Sequence, residues 1–271
     1  MPDVWTSRPA SNRHAVAFCV DRAAYPVGEA LGRLIKESEP TLDVLLCLEA
    51  VDDTLPRLVE DSPLRYVALG GKNRFERLPT TRTITRSAYA RLLLPQELDG
   101  DYERILYLDT DTLPTGGALS NLMTASMNDA AVAAASDLSA LLSPPPKLRE
   151  SYRNSGVLLL DCREGRAAEA FERVISYAVA NADKLPQHDQ SALNAALAGK
   201  MALLSPRWNF FHVPQMVPHQ SSVDPVILHF IGHDKPWVET GNSARMQYYE
   251  TFRRMLDALF APEDLAAYGL W

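Results

Sequence analysis

The stretch Glu103–Pro114, ERILYLDTDTLP, decides how the chain is read. Ile105, Leu106, Tyr107 and Leu108 form an apolar run long enough for one buried strand and too short for a helix. Asp109 and Asp111 follow at its carboxyl end, with Thr110 between them and the turn-former Pro114 beyond. In extended chain, residues two apart point to the same side, so both carboxylates can face one point. Open α/β sheets bind ligands just outside the carboxyl ends of their strands. Two converging carboxylates there suit a hard divalent cation with positions open for phosphate oxygens. A polar cap on a strand end is the other reading of an isolated Asp-x-Asp.

Outward from this stretch, strand-like and helix-like runs alternate. Towards the amino end, Ala15–Val20 (AVAFCV) reads as a buried strand that delivers Asp21. Tyr25 and Pro26 then open a helix through Leu31, Leu34 and Ile35, spaced i, i+3, i+4. Leu42–Leu48 and Arg65–Leu69 are further strands, Gly70–Thr83 a polar loop, and Ser87–Leu94 a helix that ends at Pro95. Towards the carboxyl end come a helix from Leu119 and a strand, Ala130–Ala135, that leads to Asp137. The stiff connector Ser143–Lys147 follows, then a strand, Gly156–Leu160, introduced by Asn154 and Ser155. Phe171, Val174, Ile175 and Ala178 mark one helix face, and Ala192, Leu193, Ala196 and Leu197 another after Pro186–Gln190. Val226–Phe230 is the last strand, and Tyr248–Phe260 an amphipathic closing helix. The alternation predicts an α/β fold, a mainly parallel central sheet flanked by helices. No linker divides the chain, so residues 1–271 read as one domain, with 1–12 a loose lead-in and 243–271 a C-terminal helical segment.

A net charge of −7 and a pI near 5.4 argue against nucleic-acid binding, which needs a basic face. No apolar run approaches the roughly 18 residues needed to cross a bilayer, and no signal peptide precedes the first strand. The ending FAPEDLAAYGLW is short and acidic, which leaves weak membrane association at most. Cys19, Cys47 and Cys162 all lie in apolar runs and read as buried free thiols of a reducing compartment, so the expected location is the cytoplasm.

Strand ends and loop starts deliver Asp21, Asp109, Asp111, Asp137, Asn154, Asp189 with Gln190, and His229. His229 opens the segment HFIGHDKPW, which also carries Gly232 and Lys235. Two carboxylates and an imidazole suit Mn²⁺, with Mg²⁺ the other candidate. Lys235 is a point charge able to neutralise a diphosphate. For each of these residues a structural role is the competing reading.

The chain resembles glycosyltransferase family 8, retaining enzymes that include bacterial lipopolysaccharide α-galactosyl- and glucosyltransferases and glycogenin. The resemblance runs from about Ala15 to Trp237 and is carried by motifs in a common order. These are YARL at Tyr89–Leu92, LYLDTD at Leu106–Asp111, NSGVLLL at Asn154–Leu160, HDQSALN at His188–Asn194, RWN at Arg207–Asn209 and HFIGHDKPW. It implies a GT-A (Rossmann-like) nucleotide-sugar-binding domain and transfer of a hexose from a UDP-sugar to a saccharide or glycolipid hydroxyl, forming an α-linkage. Carried over by position, Asp109, Asp111 and His229 would hold the metal, with Thr110 beside them, and Gly232 and Lys235 would meet the diphosphate. Arg91 would orient the Asp pair or the donor. Asp137, Asn154, Asp189 and Gln190 would line the sugar pocket, Gln190 on the β-face of the reacting carbon. Asp21 and Tyr25 lie where family members grip uracil, although VDRAAY departs from the usual pattern. Acceptor contacts are expected from Gly70–Thr83, Ser143–Arg153 and Pro214–Asp224. Two other readings stand beside this one: a haloacid dehalogenase-like Mg²⁺ phosphatase with Asp109 as nucleophile, and a non-catalytic nucleotide-sugar-binding relative.

Overall fold

The computed structural model describes residues 4–48, 62–69, 89–116, 118–138, 151–213, 220–232, 234–239 and 243–270. Eleven strands lie among them: β1 (Trp5–Thr6), β2 (His14–Val20), β3 (Asp43–Leu48), β4 (Arg65–Ala68), β5 (Arg104–Leu108), β6 (Thr112–Pro114), β7 (Val132–Ser136), β8 (Arg153–Asp161), β9 (Ala202–Leu203), β10 (Phe210–Phe211) and β11 (Ile227–His229). The main sheet runs β1-β4-β3-β2-β5-β8-β7-β9, and a small second sheet runs β10-β11-β6.

Strand alternation splits the apolar side chains between the two faces of the main sheet. Val16, Phe18 and Val20 of β2 join one core with the helix Tyr25–Ser38 and the C-terminal helices. Ala15, Ala17 and Cys19 join the other, under the helix Arg166–Ala180. That helix buries Ala167, Ala170, Phe171, Val174, Ile175 and Ala178, the face read from the sequence extended by one turn. At Gly28 an added Cβ would come within 2.8 Å of Leu46 Cδ1 and Val20 Cγ1, so the first helix packs on the sheet closer than a side chain there permits.

The sheet is mixed. β2 pairs with β3 and β5, β3 with β4, and β7 with β9 in parallel, but β8 runs antiparallel to both β5 and β7. The sheet is thus mainly parallel, as the alternation predicts; which strands run the other way was not legible, because apolar runs buried on both faces look the same in either direction. β8 also starts at Arg153, so Asn154 and Ser155 belong to the strand and not to its lead-in. Two helix readings change as well. Pro95 does not end a helix: it sits in the first turn of the short helix Leu94–Glu97, after the 3-10 turn Arg91–Leu93, where no backbone donor is needed. The segment from Leu119 is a 3-10 stretch, Leu119–Thr124. Ser143–Lys147 and Gly70–Thr83 lie outside the described residues. No helix among the described residues is long and apolar enough to cross a membrane.

All three cysteines are free and buried. Burial pushes the Cys162 thiol up to about 12 and the Cys47 thiol well above its ordinary value. At pH 8 neither should form the thiolate that reacts. Native protein treated with a maleimide is therefore expected to carry no label on Cys47 or Cys162 by peptide mass spectrometry, and full label in denaturant.

Candidate active site

Strand direction assembles the site. β5 ends at Leu108, opposite Val157 of antiparallel β8, so the start of β8 lies beside the Asp pair. The Asp109 N–H donates to Gly156 O at 2.8 Å. The chain then turns tightly, with Thr112 N and Thr112 Oγ1 both donating to Asp109 O, and enters β6. β11 lies antiparallel to β6 with His229 opposite Thr112, and the Phe230 N–H donates to Asp111 O at 2.8 Å. Residues 120 apart in sequence thus meet through two short ladders.

The result is a cluster of Asp109, Asp111 and His229 whose ligand atoms all lie within 4.8 Å of one another. His229 Nε2 stands 3.2 Å from Asp111 Oδ1, and Lys235 Nζ donates to Asp111 Oδ2 at 2.5 Å. Burial works to raise the Asp111 carboxyl, but the charges of Lys235 and His229 outweigh it and hold the group well below the usual carboxylate range. Asp111 is thus kept ionised and ready as a ligand. Asp109 accepts from Tyr107 Oη at 2.6 Å and lies 3.0 Å from Arg91 Nη1.

The donor set fits a divalent cation that takes oxygen and nitrogen ligands. Space is kept for it by the absence of a side chain at Gly156. A Cβ there would fall 2.3 Å from His229 Cε1, 2.8 Å from Asp109 Oδ2 and 3.0 Å from His229 Nε2.

Arg91 is buried between two acids. Besides Asp109, its Nε lies 3.5 Å from Asp189 Oδ2, its Nη1 donates to Ser155 O at 2.8 Å, and its guanidinium covers the Tyr107 ring at 4.5 Å. Desolvation would favour a neutral Arg91, but Asp109 and Asp189 reverse that and strengthen its charge. Burial, with the charge of Asp109, raises the Asp189 carboxyl despite Arg91. Asp189 Oδ2 is buried and accepts no hydrogen bond. Such an atom is costly unless a ligand satisfies it.

Asp189 and Gln190 occupy the first turn of the helix His188–Ala196, entered through His188 at a strained φ of 49°. Asn194 ties this helix to the start of β8, its Oδ1 accepting from Arg153 N and its Nδ2 donating to Arg153 O. Gln190 Oε1 accepts from Asn154 Nδ2 and from Ser155 N, both at 3.0 Å. Gln190 Nε2 donates to Asp137 Oδ2 at 2.7 Å. Arg91, Asp109, Asp111, Asp137, Asn154, Asp189, Gln190, His229 and Lys235 therefore form one connected cluster.

The remaining expected residues lie around it. Asp21 Oδ1 accepts from Ala24 N in the turn after β2, Thr110 faces Gly28 of the first helix, and Gly232 is exposed at φ +93°. Tyr25 does not take the place expected of it. It is 4% exposed, its ring packed on Phe260 and Tyr268, so it has no open face for a base. Its position in the first turn of the helix directs it to the C-terminal aromatic cluster instead. The sequence reading missed the roles of Gly156 and of Asn209, whose Oδ1 lies 2.8 Å from His229 Nδ1. A lone amide among aromatic residues (RWNFF) was the signal for Asn209, because a buried amide must find partners.

The phosphatase alternative is overturned. Its second acidic group would have to come from Asp161 or Asp224. Asp161 sits at the far end of β8, opposite Arg104, paired with Arg163 and Arg166. Asp224 is 95% exposed beside Arg207.

Comparison with known proteins gives the family and the fold. The profile of Glycosyl transferase family 8 matches residues 38–241. General stress protein A of Bacillus subtilis (strain 168) is 30% identical over 200 residues, 65% of this chain and 68% of that protein. A lipopolysaccharide 1,2-glucosyltransferase of Escherichia coli (strain K12) is 26% identical over 212 residues, 72% of this chain but only 62% of that enzyme. In three dimensions, galactosyltransferase LgtC, solved with donor and acceptor sugar analogs, aligns with a TM-score of 0.76 at 22% identity. That alignment covers 94% of this chain and 99% of LgtC, and it shows the GT-A fold. With the profile spanning most of its length and the fold agreeing, the chain belongs to glycosyl transferase family 8.

Proposed function

We propose that this glycosyltransferase moves a hexosyl group, glucose or galactose, from a UDP-sugar to a saccharide or glycolipid hydroxyl with retention, working as a single domain in the cytoplasm. The observation that carries the reading is the cluster of Asp109, Asp111 and His229 with Lys235 against it. Asp109, Asp111 and His229 would hold Mn²⁺, or Mg²⁺, which when bound neutralises charge on the diphosphate. Lys235, with the exposed turn at Gly232, meets the same phosphates and stabilises UDP as it leaves. Asp189 Oδ2 takes a donor-sugar hydroxyl, which removes its buried deficit. Arg91 holds Asp109 and Asp189 in register, and Asp21, at the end of β2, is the polar group proposed for the base.

Retention requires either a nucleophile on the face opposite the phosphate or attack from the same face. Gln190 is the candidate for the first route. Its oxygen already accepts two hydrogen bonds, from Asn154 Nδ2 and Ser155 N, which engages both lone pairs. An amide oxygen is a poor nucleophile to begin with. The geometry therefore favours same-face attack, with the departing β-phosphate taking the acceptor proton. A glycosyl adduct on Gln190, trapped and located by mass spectrometry, would overturn this route.

The function is tested with a panel of UDP-sugars and no acceptor. Slow hydrolysis of one or more donors is expected, abolished by a chelator and restored by Mn²⁺. A donor that raises the melting temperature but releases no UDP would mark a non-catalytic binding protein. If no UDP-sugar is either bound or hydrolysed, the reading is lost.

A further inference from the structure

Asn209 follows the 3-10 turn Pro206–Trp208 and is 2% exposed. It belongs to a chain of side-chain amides whose polarity can be read from two backbone donors. A backbone N–H only donates, so the atoms that receive Gly156 N at 2.9 Å and Ser155 N at 3.0 Å must be the oxygens of Asn154 and Gln190. The amide groups then follow in one direction. Asn154 Nδ2 faces Gln190 Oε1, and Asn154 Oδ1 also accepts from Asn209 Nδ2 at 2.9 Å. That leaves the Asn209 oxygen facing His229 Nδ1 at 2.8 Å, and the ring nitrogen must carry the proton. Nε2, 3.2 Å from Asp111 Oδ1, is then the nitrogen free to give up its proton to that side and offer a lone pair to a cation. The ring is further held edge-on against Phe211, with centroids 5.6 Å apart.

We propose that Asn209 is a positioning residue that locks His229 as the Nδ1–H tautomer and so presents Nε2 as a metal ligand. The lock is referenced to the backbone of Ser155–Gly156, through Asn154. The same backbone orients Gln190, which in turn donates to Asp137. One strand start thus sets both the imidazole ligand and the sugar-facing amide. Asn209 touches neither donor nor metal and acts through His229. Outer partners of this kind commonly change metal affinity about 10–100-fold when removed. The inference rests on the metal reading of the cluster, and one arm of its test does not.

That arm is the tautomer itself, read on the metal-free full-length protein by long-range ¹⁵N–¹H correlation of the His rings, with His229→Gln used for assignment. The unaltered protein is expected to show Nδ1–H at His229, with or without a second proton on Nε2 towards Asp111, and a spectrum showing Nε2–H with a bare Nδ1 overturns the proposal. The second arm is Mn²⁺ titration by electron paramagnetic resonance. Asn209→Leu should bind Mn²⁺ about 10–100-fold more weakly and show mixed tautomers. Asn209→Asp keeps an acceptor for Nδ1–H and should recover most of the affinity. Unchanged affinity in a folded Asn209→Leu, or equal losses in both variants, would sink the lock. An unaltered protein that shows Nδ1–H but binds no Mn²⁺ would instead overturn the metal reading alone.

Discussion

Gly156→Ala is expected to remove Mn²⁺ binding and to lower donor hydrolysis about 100-fold or more, while the protein stays folded. The cause is space, not backbone strain, because Gly156 lies within β8 and an alanine there suits a strand. The added methyl would have to sit 2.3 Å from His229 Cε1 and 2.8 Å from Asp109 Oδ2. Neither neighbour can step aside at low cost. His229 is tied through Nδ1 to Asn209 and packed on Phe211, and Asp109 is held by Tyr107 and Arg91. Both ligands must shift by most of an ångström, which separates the donor atoms. Mn²⁺ titration with a parallel thermal melt checks this. Unaltered Mn²⁺ affinity in the alanine variant would mean that the cation does not sit between Asp109 and His229.

Arg91→Leu should weaken both stability and catalysis. Its side chain is 7% exposed, and its guanidinium serves Asp109, Asp189 and the Ser155 carbonyl together. Leucine leaves two carboxylates facing each other in a desolvated site. Removing one partner of a buried ion pair costs about 3–5 kcal/mol, which for a chain of this size lowers the melting temperature by about 10 °C. The pH dependence has a definite sign. Asp189 is already raised by burial and by Asp109, and without Arg91 it rises further. A carboxyl raised in the folded state binds a proton that the unfolded chain has released, so stability falls as pH climbs through that range. The variant's deficit should therefore shrink on acidification. Arg91→Lys restores a charge but not the planar fork and should recover only part of the loss. Calorimetry at two pH values decides it: a deficit below about 1 kcal/mol that does not change with pH would show that Arg91 carries no such burden.

The apolar runs around β2, β3, β5 and β8 were legible because a strand buried on both faces leaves a continuous hydrophobic signal. β6, β9, β10 and β1 were not, since two or three residues carry no periodicity. Among the site residues, Asp109 and Asp111 could be paired from their spacing, although a tight turn closed by Thr112 on Asp109 O, and not extended chain, brings them together. His229, Arg91, Asp189 and Gln190 entered as strand-end and motif positions, and Tyr25 entered with them. An aromatic side chain at the start of a helix can turn either to a ligand or to the core. Here Phe260 and Tyr268, more than two hundred residues away, take it into the core.

By itself, then, the order of residues determined the longer buried strands, the acidic couple at the end of one of them, and the set of polar groups available to it. Only the tertiary structure decided strand direction. That choice brings the start of β8 and the end of β11 against Asp109 and Asp111, sets Gly156 where an added side chain would press on His229 and Asp109, and hands His229 to Asn209. The physical reason is that hydrophobic patterning is blind to chain direction and to distant partners, whereas hydrogen bonds and close contacts depend on both.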